Sequence, residues 1–378
     1  STLSDSLETR ARLSSIITAK GIGHKSKINA RAANSAIAEK RVKSIKDLFT
    51  GPCPICKTVG EAIPREILKF KNSMPGLYCP KCDEWFPPRS VYQERPVFAV
   101  AAGPSLDKNI NELSRVKGHY PIFAVDTALP TMIKHGIKPD FCVTVEVDPL
   151  INRMKIDTED VGLIATVVVD SDFRNSWKGP IYLMDGYPGG KREAAKRKRD
   201  HGDIGWAAAG GNVSSVMLSM LTGVFPSHVI FVGHDFSYPH IQNYYPSGGP
   251  MSMILVKEIF RTHDIYGNTV YTDGSLYNYR EWSQLMIASQ LRYGITRFVN
   301  ATEGGIFGAS YYDPKKFIRI KRKARVLKYQ FDKWRIDGKW PKREEAEENG
   351  FAGPRLDIME YITLAEAIGE YCPDAHKE

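Results

Sequence analysis

Four of the six cysteines stand in two close pairs, Cys53-Pro-Ile-Cys56 and Cys79-Pro-Lys-Cys82, separated by Lys57 to Tyr78. A C-x-x-C knuckle turns tightly enough for two thiolates to meet one ion. Two knuckles complete the tetrahedral four-thiolate set of structural zinc sites. A redox dithiol needs only one knuckle and an acidified, exposed thiol. The pattern therefore points to structural Zn2+ held by Cys53, Cys56, Cys79 and Cys82, in a ribbon that folds because the metal binds. Lys57, Lys69, Lys71, Lys81 and Arg89, interleaved with Phe70, Tyr78, Trp85 and Phe86, suit nucleic acid. Packing of the ribbon on its own chain or on a subunit is the other reading.

A second group of residues suits phosphate chemistry. Ala102-Gly-Pro-Ser-Leu-Asp107 follows the apolar run Val97 to Ala101 and precedes a helix-like stretch. A Gly-rich turn between a strand end and a helix offers backbone N–H groups to a phosphate, and Ser105 adds a hydroxyl. The G-x-G-x-x-G fingerprint and the Walker A loop are both missing, which argues against an ordinary dehydrogenase or P-loop enzyme. Other apolar runs end in carboxylates: Asp126, then Glu146 and Asp148, then Asp235. In a parallel sheet such ends converge on the ligand crevice, where carboxylates can hold Mg2+ or the polar groups of a nucleotide. Capping of a following helix is the plain alternative for any one of them. His263 and His234 are candidate general bases or satisfied structural histidines. Glu303 is a sugar or metal ligand or a turn cap. Tyr238, Tyr244 and Tyr245 form a lid or pack on their own loop.

These residues need a scaffold. Short apolar, β-branched runs at Val97–Ala101, Pro121–Val125, Phe141–Val145, Leu163–Val169, Ile181–Met184, Val229–Val232 and Thr296–Asn300 alternate with helix-like stretches at Leu106–Val116, Leu129–His135, Asn212–Thr222 and Tyr279–Tyr293. Runs of this length and composition mark parallel strands buried on both faces. The expected fold is α/β, with a Rossmann-like, mostly parallel sheet. Four segments are expected: a basic helical segment over 1–48, the zinc ribbon over 49–94, the nucleotide-binding domain over 95–312 and a basic helical appendage over 313–378.

With 378 residues, 42% of them hydrophobic and 25% charged, the chain can build a large core. The longest apolar runs fall short of a membrane span, and Ser1 to Glu8 has no signal-peptide pattern. A soluble cytoplasmic protein is expected. A net charge of +9 favours an acidic partner. Much of the excess lies in Lys191–Arg199 and Lys315–Arg325, which read as solvated basic faces or as contacts to a phosphate backbone.

Ala102-Gly-Pro-Ser-Leu-Asp107, Phe123-Ala-Val-Asp-Thr-Ala-Leu129, His135-Gly-Ile-Lys-Pro-Asp140, Gly210-Gly-Asn-Val-Ser214, Phe231-Val-Gly-His-Asp-Phe236 and Asn300-Ala-Thr-Glu-Gly-Gly305 resemble, in order, the motifs of the MptE-like superfamily. That superfamily includes 6-hydroxymethylpterin diphosphokinases and the Maf motility accessory glycosyltransferases. Asn300–Gly305 and Tyr271-Thr-Asp-Gly-Ser275 lean towards the Maf branch. A fainter similarity to bacterial CMP-sialyltransferases runs through the same places. The resemblance implies a nucleotide-dependent transferase. Gly103, Pro104 and Ser105 would hold the donor phosphate, Asp126 and Asp148 would contact the nucleotide or its Mg2+, and Gly210, Gly211, Asn212 and Ser214 would line base and ribose. Asp235 would lie near the reacting centre. The first expectation is a Maf-like glycosyl transfer from a CMP-type donor to an acceptor hydroxyl on a protein or nucleic acid. The alternatives are a Mg2+-dependent diphosphokinase using ATP and a non-catalytic nucleic-acid-binding protein.

The metal reading has a direct check. Elemental analysis of the purified full chain is expected to find one zinc per chain, and Cys79→Ser to abolish it; a zinc-free, folded wild type would overturn the ribbon.

Overall fold

The computed structural model describes residues 42–45, 61–62, 77–79, 81, 84–86, 95–186, 191–202, 204–224, 226–239, 245–250, 259–291, 296–309 and 356–375. The first strand is β1 (Val42–Ser44). A small antiparallel sheet follows, made of β2 (Glu61–Ala62), β3 (Leu77–Cys79) and β4 (Glu84–Phe86). Cys79 ends β3 and is in register with Glu84 of β4. Cys53, Cys56 and Cys82 lie outside the described residues.

From residue 95 the chain alternates between buried strands and helices. Strand β5 (Val97–Val100) leads through the Gly103 turn into α1 (Leu106–Asn109). Then come β6 (Ile122–Val125), α2 (Leu129–Lys134), β7 (Phe141–Thr144), β8 (Gly162–Thr166), α3 (Ser171–Ser176) and β9 (Ile181–Gly186). Next are α4 (Lys191–His201), the short β10 (Trp206–Ala207), α5 (Val213–Val224) and β11 (His228–Val232). A hairpin of β12 (Ile259–His263) and β13 (Thr269–Asp273) precedes α6 (Gly274–Leu291), β14 (Arg297–Asn300), β15 (Glu360–Tyr361) and α7 (Leu364–Tyr371).

The main sheet has the order β1-β9-β8-β7-β6-β5-β11-β14-β15, with β10 also on β9, and every pair in it is parallel. The expected α/β, Rossmann-like parallel sheet is what the chain forms. Helices on both faces explain why β5, β6 and β8 are buried along their whole length, with no polar alternation. Winding runs outward from β5 to β9 in one direction and then restarts at β11 in the other. The switch point lies between β5 and β11, where an open α/β sheet leaves a crevice at its carboxyl ends.

Several local expectations are corrected. Val42–Ser44, read as helical, is an edge strand paired with Ile181–Leu183. The helix expected over Leu106–Val116 stops at Asn109 and continues as a 3-10 helix over Ile110–Arg115. Asn109 leaves helical geometry at φ −130° while its amide donates to the Ala301 carbonyl at 2.9 Å, so a tertiary contact overrides local propensity. The strand expected to reach Val169 ends at Thr166, which the Val169 N–H closes as a turn. Helix α6 starts at Gly274, five residues early, because Asp273 accepts the N–H groups of Ser275 and Leu276. The C-terminal stretch expected to be one helix supplies β15 against β14 before α7 begins at a Thr363/Glu366 capping box.

Beside the switch point, Phe231 stacks on Phe298 at 6.2 Å between ring centres and meets Phe307 edge-on at 5.1 Å. The Phe231 side chain is fully buried. Phe231→Ala is expected to cost about 3–5 kcal/mol in urea unfolding, and a loss below about 1 kcal/mol would mean that this cluster does not hold β11.

Candidate functional site

A cleft of about 460 Å3 lies across the carboxyl ends of β5, β6, β7 and β11. Its base is the junction of the two sheet halves. The Gly103 N–H donates to the Gly233 carbonyl at 2.8 Å, tying the β5 turn to the end of β11. Asp235 closes the same junction: Oδ2 accepts the Ser105 N–H at 2.8 Å, and the Ser105 hydroxyl donates to Oδ1. A Cβ at Gly103 would stand 2.5 Å from both the Asp235 Cγ and the Gly233 oxygen, so the approach requires glycine. Phe236, immediately after Asp235, holds φ +49°. Non-glycine backbone in that region stores strain and is over-represented at functional sites.

The opposite wall carries Asp126, at the end of β6 and 1% exposed. Its Oδ1 accepts the Thr127 N–H at 2.7 Å and its Oδ2 the Thr144 hydroxyl at 2.7 Å. Burial lifts its carboxyl to about 6 despite those two bonds, with Glu146 adding repulsion. Burial likewise lifts Asp235 to about 6, opposed by its two bonds from Ser105 and by Lys108. Both groups thus exchange protons close to neutrality, the range a general acid or base needs. Glu146 and Asp148 line the rim as exposed carboxylates, and Asp148 Oδ1 accepts from the Asn152 amide at 3.0 Å.

The third wall is the start of α5. Asn212 Oδ1 accepts the Ser215 N–H at 3.0 Å as a helix cap, and Ser215 Oγ accepts the Gly210 N–H at 2.8 Å. Gly211, Asn212, Val213 and Ser214 therefore face the cleft at the positive end of a twelve-residue helix. Gly211 has φ +107° and sits against the ring of Tyr279, which also lines the cleft. Tyr245 closes one side; its loop is held where Ser247 donates its N–H and hydroxyl to Asp107 at 2.8–3.0 Å.

Of the residues singled out from sequence, Asp126, Asp148, Asp235, Gly103, Gly211, Asn212 and Ser214 converge on this cleft. Pro104, Ser105, Gly210, His263 and Glu303 are not among its lining residues. Both donors of Ser105 are committed to Asp235. His263 lies in the β12–β13 hairpin opposite Thr269. Glu303 Oε1 accepts the Asn109 amide at 3.1 Å and the Leu364 N–H at 2.9 Å, so it ties α1 to the first turn of α7. His234 lines the cleft, but its Nε2 donates to the Ala99 carbonyl at 3.1 Å among Phe231, Phe236 and Phe307. Burial presses its pKa down to about 3, so it stays neutral and is no base at pH 7. Thr144, Tyr279 and Asp107 were missed, and no sequence signal separates them from ordinary strand, helix and turn residues.

Among the described residues, four carboxylates and no Lys or Arg line the cleft. Among the described residues no three acidic, His or Cys side chains are gathered closely enough for an all-protein metal cage. That arrangement still fits Mg2+, which takes one or two carboxylates together with waters and substrate phosphates.

Residues 80–240, less than half of the chain, match a family model described as 6-hydroxymethylpterin diphosphokinase MptE-like. The match covers the strands and turns that build most of the cleft. An uncharacterised protein of Treponema pallidum (strain Nichols) is 40% identical over 47 residues, 12% of this chain and 22% of that protein. The solved structure of a Maf glycosyltransferase from Magnetospirillum magneticum AMB-1 is similar at 17% identity and a TM-score of 0.45, over 63% of this chain and 38% of that one. The chain thus spans well under half of either relative. Among the described residues no helix is long and apolar enough to cross a membrane.

The raised pKa of Asp126 has a stability signature. A carboxyl lifted in the folded state stabilises the fold below its unfolded pKa, near 4, and that contribution is lost as pH rises through about 6. Asp126→Asn has no such loss. The melting temperature of Asp126→Asn minus that of wild type is therefore expected to become more positive between about pH 4 and about pH 7, and a flat difference would show that the buried carboxyl does not titrate there.

Proposed function

We propose that the chain is a nucleotide-dependent transferase whose donor binds in the switch-point cleft. The observation that carries this reading is the cleft itself: a helix N-terminus at the carboxyl ends of parallel strands and, among the described lining residues, four carboxylates and no basic side chain. A nucleotide phosphate there needs backbone N–H groups, which the start of α5 supplies, and a divalent cation to offset the carboxylates. Glu146 and Asp148, on the exposed rim, would hold Mg2+, and the cation would neutralise charge on the transferred group and on the leaving phosphate. Asp126 is the candidate base for the acceptor hydroxyl: its pKa is near neutrality and it lines the cleft. Asp235, bound to both donors of Ser105, braces the Gly103 turn at the base of the cleft.

Within this class, transfer of pyrophosphate from ATP to a hydroxymethyl acceptor is the first reading, supported by the acid-lined cleft and by the description of the matching family. Glycosyl transfer from a CMP-type donor is the second, and the resemblance of Asn300–Gly305 and Tyr271–Ser275 to the Maf motifs supports it. Asn300 and Thr302 are fully buried, and the Asn300 amide donates to the Phe307 carbonyl at 2.9 Å. That block is thus explained by packing, which weakens the second reading.

A thermal-shift panel of ATP, AMP, CDP and CMP, with and without Mg2+, tests both. ATP at about 100 times its Kd adds about 2.7 kcal/mol to the native state. A rise in melting temperature is expected with ATP and Mg2+ together, lost in a Glu146→Gln/Asp148→Asn variant. A CMP-selective rise independent of Mg2+ would replace the first reading with the second. No rise with any nucleotide would sink both.

A further inference from the structure

The lining of the cleft is divided by chemistry. Asp126, Glu146 and Asp148 follow β6 and β7, on one half of the sheet. The aromatic lining residues Phe236, Tyr238, Tyr245 and Tyr279 come from the other half, after β11 and from α6. Phe236 and Tyr238 are buried. Tyr245 and Tyr279 are half-buried, so part of each stays open to a ligand. The Tyr279 ring is carried by a helix and backed by Gly211, where an added Cβ would stand 2.4 Å from its Cε1.

Tyr245 is placed differently, on the connection between β11 and β12. Pro246 and Pro250 are buried, and the Gly249 N–H donates to the Pro246 carbonyl at 3.0 Å, so residues 245–250 form a stiff turn. This turn is pinned two residues after Tyr245. The Ser247 N–H is shared between Oδ1 and Oδ2 of Asp107, at 2.9 and 3.0 Å, and the Ser247 hydroxyl donates to Oδ2 at 2.8 Å. On the other side, an added Cβ at Gly248 would meet the Lys134 Cδ at 3.0 Å, part of a flexible side chain that yields. Asp107 itself sits on a fixed element. Helix α1 is gripped through Ser105 by Asp235, through Lys108 by the Glu303 carbonyl at 2.8 Å and through Asn109 by the Ala301 carbonyl at 2.9 Å.

A half-open ring beside an acid-lined cleft suits a flat, uncharged group, and a nucleotide carries one next to its phosphates. Base stacking gains most when the ring is already held in place, because ordering a loose side chain on binding costs entropy. We infer that Asp107 is a positioning residue for the nucleotide: through Ser247 it holds Tyr245 where the base stacks, with Tyr279 as the second aromatic wall and the phosphates towards α5 and the carboxylates. The inference rests on the transferase reading and assigns the two ends of the donor to the two halves of the cleft. The plain alternative, a contact that only ties down a surface turn, gives no reason for a nucleotide and its bare phosphates to respond differently.

Isothermal titration calorimetry of the full chain with Mg2+ tests this with two probe pairs, ATP against inorganic tripolyphosphate and CMP against inorganic phosphate. In the pair whose nucleotide the wild type binds, Asp107→Ala and Tyr245→Ala are each expected to weaken the nucleotide about tenfold and to leave the inorganic probe unchanged. The double variant is expected to lose no more than either single one, since both remove the same contact. Tyr245→Phe keeps the ring and is expected to bind as wild type does; Asp107→Asn keeps an acceptor oxygen and is expected to lose less than Asp107→Ala. In the unliganded chain, hydrogen exchange of residues 245–250 is expected to quicken in Asp107→Ala. Unchanged exchange there, equal losses for nucleotide and inorganic probe, or additive losses in the double variant would each overturn the proposal. Nucleotide binding that Asp107→Ala leaves intact would remove this inference alone, whereas a wild type that binds no nucleotide would remove the transferase reading and the inference with it.

Discussion

The grip of Asp235 on Ser105 is the contact on which the rest of the site depends. β5 and β11 are neighbours in space but far apart in the chain, and they start the two opposite windings of the sheet. Such a junction leaves a crevice only if the two strand ends are held in fixed relation. The Asp235 carboxylate does this by taking both the N–H and the hydroxyl of Ser105, while Gly103 allows the backbones to close. On the far side, the Ile306 N–H donates to the Asp235 carbonyl at 2.7 Å, so the loop after β14 is locked to the same residue. One residue thus couples three strand ends, two through its carboxylate and the third through its backbone carbonyl.

Burying that carboxylate has an electrostatic cost, and the same cost gives the cleft its chemistry. Asp126 and Asp235 are both taken out of water with hydrogen-bond donors and, among the described residues, no ion pair of their own, so their charged forms are disfavoured and their pKa values rise to about 6. Two carboxyls able to change protonation near pH 7 face a helix N-terminus across one cleft. Exposed Glu146 and Asp148 add charge at the rim, where water screens it. Buried titratable carboxyls thus lie inside the cleft and hydrated carboxylates at its rim.

The periphery is drawn into the same sheet. β1 extends it on one side of β9, and β15 with α7 covers β14 on the other. Glu303 stitches α7 to α1 by bonding the Leu364 N–H and the Asn109 amide. Residues distant in sequence therefore support the cleft from behind.

Much of this was legible in the residues alone. Unbroken apolar runs such as Val97–Val100 and Ile122–Val125 determined parallel strands, since only a sheet covered on both faces dispenses with polar alternation. Polar residues directly after those runs, Asp126, Asp148 and Asp235, were bound to gather wherever the carboxyl ends gathered. Sequence could not say which polar groups would be consumed by each other. Ser105, read as a phosphate ligand, gives both donors to Asp235; Glu303, read as a ligand or a cap, accepts the Leu364 N–H; His234, read as a base or a structural histidine, donates to Ala99 inside an aromatic cluster. Nor did local propensity foresee that Val42–Ser44 and Glu360–Tyr361 would be strands, because a two- or three-residue strand exists only through its neighbour's hydrogen bonds. The sequence by itself determined the strands and the residues at their ends, through hydrophobic pattern and chain order. Only the tertiary structure decided which of those residues face the cleft and which are spent holding it together, because hydrogen-bond partners and burial are set by contacts between segments far apart in the chain.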